Sequence, residues 1–112
     1  MLQLRAINDF TEYIPPLYFN KGKEVSVELK CIKSLEYQQE IRTQAGLSPE
    51  ASSERHYEYI KKHVGAIKGL KVGNQLIENL DQLREHGPVS LYTWCCSTVM
   101  ADEILDGLEI KN

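Results

Sequence analysis

A chain of 112 residues, 42% hydrophobic and 26% charged, is long enough to bury one core and too apolar to stay disordered. Its formal net charge of −3 gives no general attraction to nucleic acid or to an anionic membrane. No run nears the roughly 18 apolar residues of a bilayer span, and the start MLQLRAINDF, broken by Gln3, Arg5 and Asn8, lacks the continuous apolar stretch of a secretion signal.

In chain order, residues 1–33 read as extended. Pro15 and Pro16 forbid a helix there. Asn20, Lys21 and Gly22 supply a turn between Leu17–Phe19 and the stretch EVSVELKC, in which Val25, Val27, Leu29 and Cys31 alternate with polar residues. That alternation predicts a half-buried strand, and the two runs together a hairpin. After Ser34 the period becomes helical. Ser34 is placed to cap LEYQQEIRTQ, with Tyr37 and Ile41 on one face and Gly46 as the stop. Ser48 followed by Pro49 marks a second start. Tyr57, Ile60, Val64 and Ile67 then fall at spacings of three and four, which predicts one apolar stripe on a helix reaching Gly69.

Leu70 to Val72 read as a connector and Gly73-Asn74 as a tight turn. Asn79 caps LDQLREH, with Gln82 at the capping-box position, and Gly87-Pro88 closes that helix. A final helix is expected from Val89 to about Gly107. The expected fold class is α+β, mostly α: a single domain, with a small N-terminal β-hairpin (1–33) followed by a bundle of about four helices (34–112).

The three cysteines, Cys31, Cys95 and Cys96, are odd in number and read as reduced thiols of a cytosolic protein, the vicinal pair filling core on a helix. His56, His63 and His86 form no ligand pair of metal-binding spacing with each other or with the cysteines. No G-x-S-x-G, phosphate-binding glycine loop or convergent carboxylate pair is present. Neither an enzyme nor a metal or cofactor is expected.

Residues 54–71 hold Arg55, Lys61, Lys62, Lys68 and Lys71 against Glu54 and Glu58, a local excess of +3. The connector from Gly69 to Asn79 is far longer than a helix-turn-helix turn, and LDQLREH carries Asp81 and Glu85, so a DNA groove is not the expected target. Residues 102–112 carry Asp102, Glu103, Asp106 and Glu109 against Lys111, a local −3. Basic Lys61, Lys62, Lys68 and Lys71 facing acidic Asp102, Glu103 and Asp106 would allow head-to-tail self-association, or a fold-back within one chain. The final helix is apolar around most of its circumference, more than one core-facing stripe requires. Leu91, Tyr92, Trp94, Val99, Ile104, Leu105 and Leu108 are therefore the expected partner-binding residues.

The run HYEYIKKHVGAIKGLKVGNQLIENLDQLREHGP and the ending EIKN resemble the tail assembly chaperones of long-tailed, siphovirus-type bacteriophages. The matching positions are Val64, Ile67, Lys68, Gly69 and Leu70, then Gly73, Asn74, Ile77, Leu80 and Leu83, then Lys111 and Asn112. The resemblance covers about half to two-thirds of the chain, through motifs of packing rather than of chemistry. It implies a non-enzymatic protein of the host cytoplasm that binds the tape measure protein, keeps it soluble before the tail tube assembles, and oligomerises. In such phages a frameshift can append a segment that recruits the tube subunit, and this chain ends at Asn112 without it. Two other readings stand beside it. One is a small virion adaptor or structural subunit of a tail or connector, and the other a phage regulatory protein that binds a host protein or DNA.

Overall fold

The computed structural model describes residues 1–2, 9–101 and 108–111. Among the described residues the chain forms five strands and four helices. They are β1 (Thr11–Tyr13), β2 (Ser26–Leu29), α1 (Ser34–Gln44), α2 (Pro49–Lys61), β3 (Val64–Lys68), β4 (Leu70–Val72), β5 (Gln75–Ile77), α3 (Leu80–His86) and α4 (Val89–Thr98). β1, β2 and β3 make an antiparallel sheet in that order, and β4 and β5 a separate two-stranded one. The expectation of one N-terminal hairpin and a helical bundle is therefore corrected: this is an α+β fold in which strands recur in the middle of the chain.

The first correction concerns the hairpin. The partner of β2 is Thr11–Tyr13, with Thr11 opposite Leu29 and Tyr13 opposite Val27. The run Leu17–Phe19, expected as the strand, instead leads into a single 3₁₀ turn at Tyr18–Asn20. Residues 109–111 close the free edge of β1: Glu109 accepts from the Ile14 amide, and the Lys111 amide donates to the Glu12 carbonyl, both at 2.9 Å.

The second correction concerns Val64 and Ile67. Helix α2 stops at Lys61, and VGAIK becomes β3. Its β-branched residues and glycine are poor helix formers. Val27 faces Ile67 and Leu29 faces Val64, so β3 carries one residue more than β2 over that span. This bulge lets two residues three apart both point into the core. It lies at Gly65-Ala66, where an added Cβ on Gly65 would stand 3.0 Å from Glu28 Cβ. A spacing of three, read as helical, is here a bulged strand.

The third correction is Leu70–Val72, a strand rather than a connector, joined to β5 through the Gly73-Asn74 turn. The final helix is shorter than expected: α4 ends at Thr98, residues 99–101 are not helical, and residues 102–107 lie outside the described residues. The helix starts at Ser48 and Asn79 and the stop at Gly46 map closely. Ser48 Oγ accepts from the Ala51 amide at 3.2 Å with Pro49 in the first turn. Asn79 Oδ1 accepts from the Gln82 amide at 2.9 Å, and Gln82 reaches back to the Glu78 amide. Gly46 takes φ +84° after α1. Ser34 is itself the first helical residue of α1, behind Lys33, and makes no cap hydrogen bond.

The core lies between the three-stranded sheet and helices α2, α3 and α4. Val27, Leu29, Ile60, Ile67, Leu83 and Leu91 are among its most enclosed members. Helix α1 contributes nothing to it.

Candidate binding surface

Helix α1 spends its inward face on polar contacts. Arg55 of α2 forks onto Glu40, with Nε–Oε2 at 3.1 Å and Nη2–Oε1 at 3.0 Å, and also donates to Thr43 Oγ1. Ser52 Oγ donates to Gln44 Oε1, and Glu36 Oε1 lies 3.1 Å from His63 Nε2. Glu36, Glu40, Thr43 and Gln44 recur at spacings that share one face. The Glu40 carboxyl lies below the usual carboxylate range; burial works against ionisation there, and the Arg55 and Thr43 hydrogen bonds outweigh it.

The apolar residues of α1 consequently face outward. Leu35 is 67% exposed, Tyr37 40% and Ile41 50%, with Leu47 just beyond the helix at 41%. Tyr37 and Ile41 are one turn apart on the same side. Ile32, Ser34, Tyr37 and the 46%-exposed Met100 line an open groove of about 390 Å³ beside α1. An amphipathic helix normally buries its apolar face in its own core. Here that face is displayed, and it borders a groove.

A larger groove of about 820 Å³ runs between Tyr18–Val25, the start of β4 and the α3–α4 corner. Its walls mix Tyr18, Val72 and Pro88 with Glu24, Lys71 and His86. It offers no comparable stripe on one element.

The residues singled out from the sequence lie elsewhere. Leu91 and Val99 are fully enclosed and hold α4 in the core, so neither presents a surface to a partner. Tyr92, Trp94 and Leu108 are half-buried and packed on that core. Ile104 and Leu105, like Asp102, Glu103 and Asp106, lie outside the described residues. On α4, Leu91, Cys95 and Thr98 are buried, Tyr92, Trp94 and Cys96 pack half-buried on the core beside α3, and Val89 stays exposed.

Of the basic residues, Lys61 bonds Asp81 at 2.8 Å and Lys68 reaches Glu12 and Glu28, so both tie elements of one chain together. Lys62 and Lys71 are exposed. Lys68 holds the Glu12 carboxyl below its usual range through their hydrogen bond. Cys95 is enclosed, and burial pushes its thiol up; Cys96, half-buried, is pushed up for the same reason. Among the described residues no three His, Cys, Asp or Glu side chains converge as metal ligands, and no helix is long and apolar enough to cross a membrane.

Sequence reasoning placed Tyr37 and Ile41 on one face and did not single that face out as a binding surface. The signal available was the polarity of the adjoining face, where Glu40, Thr43 and Gln44 match Arg55 and Ser52 of α2 and Glu36 meets His63. No family model, curated protein or solved structure matches this chain.

Proposed function

We propose that this protein is a non-enzymatic binding protein whose α1 face, with the Ile32–Met100 groove, receives an amphipathic helix of a partner. The observation that carries this reading is that α1 buries none of its own residues while displaying Tyr37 and Ile41 in one stripe. A helix laid along such a stripe would cover apolar area on both partners, at roughly 25 cal/mol per Å².

The finer reading follows the resemblance to tail assembly chaperones. The partner is then the tape measure protein, a long helical client held soluble in the host cytoplasm before the tail tube forms. A short stripe gives each copy a modest grip. Several copies along one client, or a homo-oligomer presenting several stripes, would supply avidity without further contacts.

The test is calorimetric titration of the full chain with apolar-faced helical peptides tiling the tape measure protein of a long-tailed phage. At least one apolar-faced peptide should bind, and Ile41→Glu should weaken it at least tenfold while the circular dichroism spectrum stays unchanged. Failure of every peptide to bind, or equal binding by Ile41→Glu, overturns the reading.

A further inference from the structure

Beneath α1 lies a polar pair that the helix-docking surface does not use. His63 is 1% exposed and follows α2 at its C-terminal end. Its Nδ1 lies 3.1 Å from the Tyr59 carbonyl oxygen, one turn back, and its ring stacks edge-on to the Tyr59 ring at 5.2 Å. A carbonyl can only accept, so Nδ1 carries a proton. On the far side of the ring, Nε2 stands 3.1 Å from Glu36 Oε1 without an aligned hydrogen bond. The Tyr59 hydroxyl, also buried, has no hydrogen-bond partner among the described residues.

We propose that the Glu36–His63 contact is a proton-carrying latch that holds α1 on the core, so that acidity fastens the helix and loss of the proton releases it. The argument is one of donors and acceptors. An ionised carboxylate only accepts, and a neutral imidazole with its proton on Nδ1 offers Nε2 as a lone pair. Two acceptors at 3.1 Å repel; one shared proton turns the same contact into a charge-assisted attraction. Both ring nitrogens then have acceptors, and the buried ring is fully matched.

The other charged groups around the ring do not substitute for that proton. From α1, Glu40 is taken up by Arg55, and Tyr37 is half-exposed. From α2, Tyr59 is neutral, its hydroxyl pushed up to about 12 first by burial and then by the Glu36 and Glu40 charges. From the segment after β2, Lys30 meets His63 through its backbone amide, while its ammonium sits over the Phe10 ring. The Glu36 side chain is 45% exposed, which gives protons a route to the contact.

The latch matters because α1 has no apolar anchor. Its other ties to the core are the polar contacts to Arg55 and Ser52 on α2, so loss of the innermost one should loosen the helix without unfolding the sheet. Gly46 and the short link to Ser48 would act as the hinge.

The experiment is amide hydrogen exchange on the full chain at about pH 5.5 and about pH 8, either side of the range in which histidine exchanges its proton, corrected for intrinsic exchange rates. The amides of 38–44 should be protected at least fivefold more at the lower pH, with those of α3 and α4 unchanged. In Glu36→Gln the side-chain amide can donate to a neutral Nε2, so the helix should stay fastened at both pH values and the difference should vanish. Equal protection of α1 in the wild type at the two values overturns the proposal. So does a pH effect that survives in Glu36→Gln, or one shared by α3 and α4.

Discussion

The side-chain amide of Asn20 grips Val25 by both of its backbone groups. Asn20 Oδ1 accepts from the Val25 amide at 2.9 Å, and Nδ2 donates to the Val25 carbonyl at 3.0 Å and to the Pro15 carbonyl at 2.9 Å. Asn20 is buried, so water cannot replace these bonds. It thereby fixes the loop that brings the chain from β1 back into β2. Asn20→Ala should lower stability by about 3 kcal/mol, because several buried backbone groups lose their partner together. Urea unfolding monitored by circular dichroism would measure it, and a change under about 0.5 kcal/mol would show the loop to be held by other contacts.

Helices α1 and α4 should respond to truncation in opposite ways. Leu91 and Val99 are enclosed on every side, so Leu91→Ala should cost about 3 kcal/mol through lost burial and the cavity left behind. Tyr37→Ser and Ile41→Ser remove side chains that already face water, and should each change stability by less than about 0.5 kcal/mol. Large losses from the α1 pair would mean that those side chains are core after all.

The contrast also locates what the sequence could tell. The start of α2 and both ends of α3 were legible, since Ser48-Pro49, Asn79 and Gly87 act through bonds to residues within one turn, whereas the stop of α2 at Lys61 was not. The strand β2 was legible from its strict alternation. Strand β3 was not, because its bulge places Val64 and Ile67 at a helical spacing, and a bulge is defined only against the partner strand. The binding surface was illegible for a related reason. An apolar stripe on α1 and a nearly all-apolar α4 look alike in sequence as candidates for burial. Which one is covered depends on tertiary packing: Leu91 and Cys95 of α4 join the core beside α3, and α1 is left to the polar side chains of α2.

Acid should loosen the junction between α2 and α3. Lys61 holds the Asp81 carboxyl below its ordinary range by a hydrogen bond, and Tyr57 adds a second through its hydroxyl at 2.5 Å. The ionised form is thus favoured by folding. The stabilisation is present above the titration of the unfolded carboxylate and is lost as pH falls through that of the folded one. Urea midpoints should therefore drop between about pH 5 and about pH 3, and Asp81→Asn should flatten that dependence by removing its titrating group. An unchanged slope in Asp81→Asn would assign acid sensitivity to Glu12 and Glu40, whose carboxyls are also lowered.

The two glycines that flank β4 should differ in tolerance, although both have positive φ. Gly69 turns the chain from β3 into β4 at φ +80°, and a Cβ there would run into the Glu24 carbonyl oxygen. Relief requires the main chain of β2's approach or of the corner itself to move. Gly73 sits at φ +59° in the turn before β5, where an added Cβ would meet nothing within 4 Å. Gly73→Ala should therefore cost only the left-handed backbone penalty, about 1–2 kcal/mol. Gly69→Ala adds the collision with backbone and should cost about 3 kcal/mol or more. Thermal or urea unfolding of the two variants side by side decides it. Equal costs would mean that the corner at Gly69 yields freely, and that the close approach of Glu24 does not help fix the angle between the two sheets.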